Sequence, residues 1–414
     1  MIKIFNCFNK KQQRNIELII NKRRNGNNIN TSIVLKILKD IRKNKKKALL
    51  KYEKKFSYNT KLNPTKKEIK KSINSLDPKV KKAIDNAYNR IMKFHKLQKI
   101  KNIRLVDKYR NIIEYKNVPL KSVGIYVPAN LPSTLLMNAI PAKIAGIKKI
   151  VLANPRLNKK LNPAVMYAAK KCGIHRIINV GGAQAIGSLA YIQKVDKIIG
   201  PGNDYVARAK KEVFGDVGIE GMIAGPSEVT LIADKKTDIN QIATSLVAQS
   251  EHGENSQSIL LINQKDLAKQ VVNKIKRVIE NLPRKKIIEK SLNKNGMIII
   301  SKSQKQIIEL VNFISPEHLE VLTTNYKKLI KNIYNAGSIG LGKYSPVAAS
   351  DYNVGTNHTL GTLGSAKFAS GLNLNDFFKK ISLFSLTKKG IEVIGKEAIT
   401  LAKYENLHAH ALSI

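Results

Sequence analysis

A glutamine and a histidine lie one helical turn apart at the end of an apolar helical segment. In residues 248–253, Gln249 falls on the same face as Ile242 and Leu246, and His252 follows three residues later. Gly253 is a typical residue to end such a helix. Placing an amide and an imidazole on an otherwise apolar face costs free energy unless both groups are satisfied. The pattern indicates either a ligand site or a Gln–His pair bonded to each other or to nearby backbone.

The distribution of charge points to other segments with the same potential. The chain has 74 Lys and Arg against 29 Asp and Glu, a formal net charge of +45. Nevertheless, five segments contain neither Lys nor Arg: 220–234, 245–257, 312–325, 344–366 and 404–414. They hold five of the seven histidines, His252, His318, His358, His408 and His410, and the acids Glu317, Asp351 and Glu405. A bound cation and a cationic substrate would repel lysines, so we expect the chemistry to lie in these segments.

Two kinds of chemistry suit these residues. Glu317 and His318 begin a predicted strand, so their side chains lie on opposite faces or around a bend, and either could transfer protons in a cleft. The alternative is a surface glutamate beside a capping histidine. Gln249 and His252 offer nitrogen and oxygen ligands without a thiolate, and further candidates of the same kind are Asp351, His358, Glu405 and His410. Such a set suits Zn²⁺, Mn²⁺ or Co²⁺ with an open position, which is typical of a catalytic metal site.

Two glycine-containing turns lead from predicted strands into predicted helices. Gly181-Gly182-Ala183-Gln184 and Gly200-Pro201-Gly202-Asn203 allow close backbone approach, and a helix N-terminus favours phosphate. Neither matches the GxGxxG fingerprint, and the sequence has no P-loop. The turns are therefore either structural or part of a dinucleotide site of nonstandard form.

Composition favours a globular enzyme of the cytoplasm. A chain of 414 residues is long enough for two or more domains. No apolar run approaches the roughly 20 residues of a membrane span, and residues 1–8 are too short and interrupted for a signal peptide. The only cysteines, Cys7 and Cys172, exclude a disulfide scaffold and fit a reducing compartment. Cys172 follows a predicted helix C-terminus, where no helix dipole lowers its pKa, so we expect it to pack rather than react.

The excess of positive charge raises the question of nucleic-acid binding. Residues 1–100 contain 29 Lys and Arg against 6 Asp and Glu. The excess is mostly lysine spread along whole segments with abundant Asn and Ile, and no nucleic-acid-binding motif is present. We expect incidental polyanion binding but no specific nucleic-acid partner.

Alternating strands and helices predict the fold class. We expect an α/β protein with two Rossmann-like but incomplete parallel-sheet domains, a helical N-terminal region and a helical C-terminal tail. The predicted divisions are 1–117, mostly helical; 118–226, with the turns that could contact a dinucleotide; 227–372, with the metal and acid–base candidates; and 373–414, the tail. Residues 342–373 are predicted to form a long functional loop.

With these segments assembled, the chain resembles the histidinol dehydrogenases over essentially its whole length. The matching segments, in family order, are 122–128, 137–142, 180–186, 197–203, Ala224–Val229, 249–253, 315–320 and 355–358. The sequence departs from the family pattern at 129–132, in a shortened segment between Tyr191 and Lys197, at Ser350 and at 360–362.

The resemblance implies a zinc- and NAD-dependent oxidation of L-histidinol through L-histidinaldehyde to L-histidine. It implies one Zn²⁺ per subunit, bound by Gln249, His252, Asp351 and His410. It implies NAD contacts at Tyr126, Gln184 and Asn203. Substrate contacts would be Ser227, Gln249, His252, His318, Asp351, His358, Glu405 and His410. Glu317 would activate water, with His318 as its acid–base partner.

The resemblance also implies a homodimer with shared active sites, in which Glu405 and His410 of the tail complete the neighbouring subunit's site. Two alternatives remain open at this point. One is a weakened or inactive relative that acts as a basic nucleic-acid-binding or scaffold protein. The other is a different NAD-dependent alcohol or aldehyde dehydrogenase that uses a metal or Cys172.

Overall fold

The computed structural model describes residues 2–25, 31–98, 100–221 and 225–414, so Ala224 of the family-like segment lies outside the described residues. The strands are β1 Lys3–Cys7, β2 Ile103–Val106, β3 Ile112–Pro119, β4 Ser122–Tyr126, β5 Lys149–Ala153, β6 Arg176–Ile178, β7 Lys197–Ile199, β8 Gly218–Ile219, β9 Glu228–Ile232, β10 Gln257–Ile262, β11 Met297–Ser301, β12 His318–Val321, β13 Ser338–Leu341 and β14 Phe378–Ser385. The α-helices are α1 Lys10–Asn25, α2 Thr31–Ser57, α3 Lys66–Asn74, α4 Pro78–His95, α5 Pro132–Ile144, α6 Pro163–Cys172, α7 Gly182–Tyr191, α8 Asp204–Val213, α9 Ile239–Ser250, α10 Lys265–Ile279, α11 Lys285–Asn295, α12 Gln304–Ile314, α13 Tyr326–Leu329, α14 Val347–Tyr352, α15 Lys388–Tyr404 and α16 His408–Leu412.

The first parallel-sheet unit is built on five strands in the order β6-β5-β4-β7-β8. Its central strand β4 is buried along all five residues, as expected for a strand covered on both faces by helices. The direction of chain progression reverses between β4 and β7. Parallel α/β sheets bind ligands in the crevice at such a point, beyond the carboxyl ends of the strands.

The second parallel-sheet unit has six strands in the order β1-β11-β10-β9-β12-β13. Without β1, this is the same order as in the first unit, with the reversal between β9 and β12. Strands β9, β10 and β11 are buried along their whole lengths. The predicted fold class, two Rossmann-like parallel-sheet units with helical ends, is therefore confirmed.

The two ends of the chain contain strands that the sequence analysis did not anticipate. β1 joins the edge of the second sheet, and β14 pairs with β3 over eight residues in a three-stranded antiparallel sheet of order β14-β3-β2. The strands of this small sheet are largely exposed, so their pattern of apolar and basic residues resembles that of an amphipathic helix. Residues 103–119 and 378–385 thus form one element although they stand far apart in sequence.

A buried ion pair fixes the turn after β7. The Lys210 ammonium contacts both the Glu220 carboxylate and the Gly200 carbonyl, and the side chains of Lys210 and Glu220 are only 4% and 1% exposed. Gly200 has a φ of +107° and its Cα faces the Tyr126 carbonyl so closely that a side chain would clash with it. The pair therefore holds a turn whose backbone path requires glycine.

We expect Lys210→Met to destabilise the protein by about 3–5 kcal/mol, because Glu220 would remain buried without a compensating charge. The shift of the urea midpoint measures the effect. Lys210→Met/Glu220→Leu should recover most of the loss. The matched surface control is Lys290→Met, which breaks the exposed Lys290–Glu254 pair and should cost at most about 1 kcal/mol. Equal effects of the two single variants would contradict the assigned role of the buried pair.

Candidate active site

Opposite edges of the two parallel sheets meet at one cavity of about 410 Å³. The first unit contributes segments that follow its strands, including Pro128 after β4 and Gly202 after β7. The second unit contributes segments that precede its strands, including Ser227 before β9 and Glu317 before β12. In a β–α–β unit, helices start at the carboxyl edge and end at the amino edge of the sheet. The cavity is thus bordered by helix N-termini on one side and by helix C-termini on the other.

Helix α9 brings Gln249 and His252 to this cavity. The helix begins with Asp238, whose side chain accepts the Asn240 N–H, and ends at Ser250, shortly before Gly253. Gln249 is buried and His252 is exposed at the cavity rim. The C-terminal end of a helix carries partial negative charge, which favours a cation nearby. The segment singled out by its polar residues therefore lies where a metal ion would be stabilised.

The Glu317–His318 pair lies at the start of β12. Parallel register places His318 beside Val229 and thus Glu317 beside Glu228, whose backbone N–H donates to Glu317 Oε2 at 2.8 Å. Glu317 Oε1 lies 4.0 Å from His318 Nε2. Because Glu317 precedes the first regular strand residue, the two side chains reach the same cavity around a bend.

A short helix in the long loop supplies Asp351. α14 starts at Val347, whose N–H donates to the buried Glu320 carboxylate at 2.8 Å. Asp351 Oδ1 then lies 3.7 Å from His318 Nε2. His358 Nδ1 lies 2.7 Å from the Asp351 carbonyl oxygen, which holds the ring against the helix end. The loop therefore folds Asp351 and His358 onto His318.

The same loop is anchored on the first unit. Asn357 donates to the Met137 carbonyl at 2.6 Å, and Asn138 donates to the Thr359 hydroxyl at 3.0 Å. Met137 and Asn138 belong to α5, so the loop that carries Asp351 and His358 spans the two units. Any change in their relative position would move these side chains.

Burial controls protonation throughout the cavity. It raises the pKa of Glu317 well above its usual value, with the hydrogen bond from Glu228 acting in the opposite direction. It raises the pKa of Asp351 to about 7 and lowers that of His318 to about 3 and that of His358 to about 4. Both imidazoles are therefore neutral at pH 7, and each can accept a proton.

Three of the four expected metal ligands, Gln249, His252 and Asp351, line this cavity. Across the described ranges, no cluster of three or more His, Cys, Asp or Glu side chains is arranged to hold a metal ion. A ligand set that includes the amide of Gln249 is of a different kind, because it needs only two residues of those types beside the amide. An amide oxygen, an imidazole and a carboxylate fit Zn²⁺ and leave one position for a further ligand. Burial disfavours the charged form of Asp351, and a bound cation would favour it. The donors present thus fit zinc.

The three candidate NAD contacts lie at the carboxyl edge of the five-stranded sheet. Asn203 lines the cavity and caps α8, where its side chain accepts the Val206 N–H at 3.1 Å. Gln184 is buried and donates to Glu53 Oε1 at 2.9 Å, which also accepts the Gly181 N–H at 3.1 Å. Tyr126 is buried, and burial raises the pKa of its hydroxyl. Only Asn203 of the three reaches the cavity in this chain.

The tail residues Glu405 and His410 do not join the other candidates. Both are exposed, and neither lines the cavity of its own chain. Helix α16 instead packs back against α15. The remaining substrate candidates Ser227, His318 and His358 do line the cavity.

Sequence reasoning missed the residues that support the site from behind. These are Glu228, Glu320, Arg23 and Glu53. Glu228 and Glu320 do lie in or beside the segments without Lys or Arg, which is a signal that could have found them. Arg23 and Glu53 stand among many charged residues of the N-terminal region, where no pattern distinguishes them.

Two other features carry no predicted site residue. A hollow of about 670 Å³ on the first unit is lined by Arg42, Tyr191 and Phe214, among others.

Cys172 is buried, and burial raises the pKa of its thiol to about 12, so it is not a thiolate nucleophile at neutral pH. These findings argue against a dehydrogenase that depends on Cys172.

Two parallel-sheet units around a cavity of carboxylates and imidazoles define an α/β enzyme with acid–base chemistry at its centre. Comparison with known proteins makes the assignment specific. The sequence model of the family described as histidinol dehydrogenase matches residues 21–414, and the chain belongs to this family.

Individual relatives agree with this assignment. A histidinol dehydrogenase from Pelagibacter ubique is 53% identical over 421 aligned residues, covering 100% of this chain and 98% of that protein. The crystal structure of histidinol dehydrogenase from Elizabethkingia anophelis is 36% identical, with a TM-score of 0.92 over 100% of this chain and 96% of that one. A probable aldehyde dehydrogenase from Listeria monocytogenes, 12% identical with a TM-score of 0.50 over 92% of this chain and 98% of that one, shows likeness of fold alone.

Family membership makes the chain an NAD-dependent oxidoreductase of histidine biosynthesis. The alternative of an inactive basic binding or scaffold protein is not favoured. Within the described parts of the chain, no helix is both long and apolar enough to cross a membrane.

Proposed function

We propose that this chain oxidises L-histidinol to L-histidine in two successive steps through L-histidinaldehyde, with NAD and one zinc ion per subunit. The observation that carries the proposal is the single cavity in which Glu317, His318, Asp351 and His358 lie beside Gln249 and His252. Each step removes one hydride. Water supplies the second oxygen of the product carboxylate, so one histidinol yields two NADH.

Gln249, His252 and Asp351 would hold the zinc ion, with His410 from a tail as the fourth protein ligand. When bound, zinc would orient the nitrogen atoms of the substrate and NAD would accept the hydrides. Ser227, His358 and Glu405 would contact the substrate with the metal ligands and His318. Histidinol carries an amine and an imidazole, and the cavity segments without Lys or Arg suit such a basic molecule.

His318 and Glu317 would divide the proton transfers. Burial keeps His318 in its neutral form, so a ring nitrogen is available to take the proton of the alcohol in the first oxidation. Glu317 would take a proton from water in the second oxidation. Its Oε2 is occupied by the Glu228 N–H, so Oε1 is the atom directed at His318 and the cavity. A buried carboxylate with a raised pKa is a stronger base than one in water.

The NAD site would lie at the reversal point of the five-stranded sheet. Asn203 and the N-terminus of α8 face the cavity, and helix N-termini stabilise phosphate. Tyr126 and Gln184 would act at the Gly181–Gly182 turn, which Glu53 holds in place. Binding through these turns would explain the absence of a GxGxxG fingerprint.

A homodimer would bring the tail to a site. The small sheet and α15 expose a set of large apolar side chains that a monomer would leave in water. They include Leu105, Val106, Ile113, Phe384 and Leu401, each at least 49% exposed. Covering this surface with a second copy would order the tails and allow Glu405 and His410 to complete the neighbouring cavity. A cytoplasmic location is part of the proposal, and the two unpaired cysteines, Cys7 and Cys172, support it because they suit a reducing compartment.

The direct test is NADH formation from L-histidinol by the zinc-loaded protein. We expect two NADH per histidinol with L-histidine as the end product, because water addition links the two oxidations. Absorbance at the NADH band and product analysis measure both quantities. A folded, zinc-loaded dimer that turns over no histidinol would rule out the proposal.

Glu317→Gln should separate the two oxidations. Loss of the base should lower the rate of aldehyde oxidation by about 10²–10⁴-fold, while hydride loss from histidinol changes far less. Rates with L-histidinol and with L-histidinaldehyde, each as starting substrate, provide the comparison. The matched control is Glu254→Gln, since Glu254 also lines the cavity but is exposed and paired with Lys290. Equal losses in both steps would contradict the role of Glu317.

Mixing two inactive variants tests the shared site. His252→Asn and His410→Asn each remove a proposed ligand, so each homodimer should lose zinc and activity. If tails cross between subunits, the heterodimer contains one intact site, and activity should return towards half of that of one wild-type dimer. His252→Asn mixed with Asp351→Asn is the control that should stay inactive, because both changes lie in the body of the chain. Verified subunit exchange without recovered activity in the first mixture would disprove the shared site.

A further inference from the structure

The last turn of helix α1 carries a buried arginine to the back of the cavity. Arg23 forms an ion pair with Glu228, and the two side chains are only 13% and 4% exposed. Its Nη2 also donates to the carbonyl oxygens of Pro226 and Asn255, each at 3.3 Å. Pro226 and Asn255 both line the cavity. The Arg23 guanidinium thus links the buried Glu228 carboxylate to two segments of the cavity wall.

Glu228 connects this arginine to the centre of the site. Its backbone N–H donates to Glu317 Oε2 at 2.8 Å, and its carboxylate accepts the Leu363 N–H at 3.1 Å. Leu363 belongs to the long loop that bears Asp351 and His358. The position of Glu228 therefore determines the orientation of Glu317 and anchors the loop opposite it.

Charge makes Arg23 important to this arrangement. Glu228 and Glu317 are both buried, and Asp351 lies in the same cavity. A buried carboxylate that loses its partner either takes up a proton or moves towards water. Either response of Glu228 would disturb the strand start from which its N–H reaches Glu317.

We infer that Arg23 is a positioning residue for the second oxidation: by fixing Glu228, it keeps Glu317 Oε2 occupied and directs Oε1 towards His318 and the water to be activated. This inference rests on the proposed function of Glu317. Arg23 itself touches neither substrate nor cofactor. Its contacts with Glu228 transmit this effect, and its charge also favours the ionised form of Glu317.

The alternative is that Arg23 only stabilises the fold, and the neighbouring Arg24 provides the comparison. Arg24 donates to the carbonyl oxygens of Phe313 and Ile314 at 2.8 and 2.7 Å and lies over the Phe313 ring. It thus anchors the same helix by a partly buried guanidinium but forms no hydrogen bond with Glu228 among the described contacts. Arg24→Gln removes an equal charge from the same helix turn.

The test compares two reactions of L-histidinaldehyde in the zinc-loaded enzyme. Oxidation with NAD needs activated water, whereas reduction with NADH does not. In Arg23→Gln we expect kcat for aldehyde oxidation to fall at least about tenfold, a part of what a general base contributes. KM, zinc content and the reduction rate should stay within about twofold. Arg23→Lys keeps the charge without the fork-shaped donor set, so its oxidation rate should lie between those of wild type and Arg23→Gln.

Arg24→Gln should lower the melting temperature without separating oxidation from reduction. Glu228→Gln and the double variant Arg23→Gln/Glu228→Gln test the route, and the double variant should be no slower than the worse single variant. Equal losses of oxidation and reduction in Arg23→Gln, an equal separation in Arg24→Gln, or additive losses in the double variant would each overturn the inference. Failure of the wild type to oxidise the aldehyde would instead reject the proposed function.

Discussion

The site depends on the opposite polarity of the two sheet edges that meet at the cavity. The first unit presents the carboxyl ends of its strands and the N-terminus of α8, whereas the second presents the amino ends of its strands and the C-terminus of α9. Backbone dipoles therefore favour an anion on one side and a cation on the other, before any side chain is considered. A dinucleotide phosphate and a metal ion can then be bound close together without competing for the same partial charges.

Burying acids at such a junction requires compensation, which comes both from residues far away in sequence and from near neighbours. Arg23 from α1 pairs with Glu228, and Lys210 pairs with Glu220 behind the turn after β7. Glu53 from α2 reaches the Gly181–Gly182 turn, where its Oε1 accepts from the Gly181 N–H and from the Gln184 amide. The N-terminal helices thus contribute the charged side chains Arg23 and Glu53, which bind polar groups next to the apolar strands of the two sheets.

Sequence alone was sufficient for the elements whose environment is local. Strands such as Lys149–Ala153 and Met297–Ser301 are short, largely apolar runs between helices, which is the local pattern typical of a buried parallel strand. The segments without Lys or Arg identified most of the cavity, since a basic chain has to leave its charges elsewhere.

Other features depend on long-range partners and leave no local pattern. β14 is recognisable as a strand only from its pairing with β3. Arg23 differs from its many basic neighbours only through its ion pair with Glu228, which lies far away in the sequence. Helix α11, Lys285–Asn295, lies in a segment where lysines obscure the apolar face, and no element was predicted there. The position of the exposed tail residues Glu405 and His410 relative to a partner is likewise not encoded in any local spacing.

The pairing of β1 with β11 has a consequence for the biosynthesis of the molecule. Lys3 pairs with Met297, so β1 has no neighbour in its sheet until β11 has been synthesised. The five-stranded unit lies entirely between them and can fold in the interval, since all its strands are contiguous in the chain. Arg23 can take its final position only after β1 has paired, because α1 follows β1 after a short turn. A growing chain can therefore hold one finished sheet beside an unassembled second one, and the cavity between them can form only after β11 and β12 have been made.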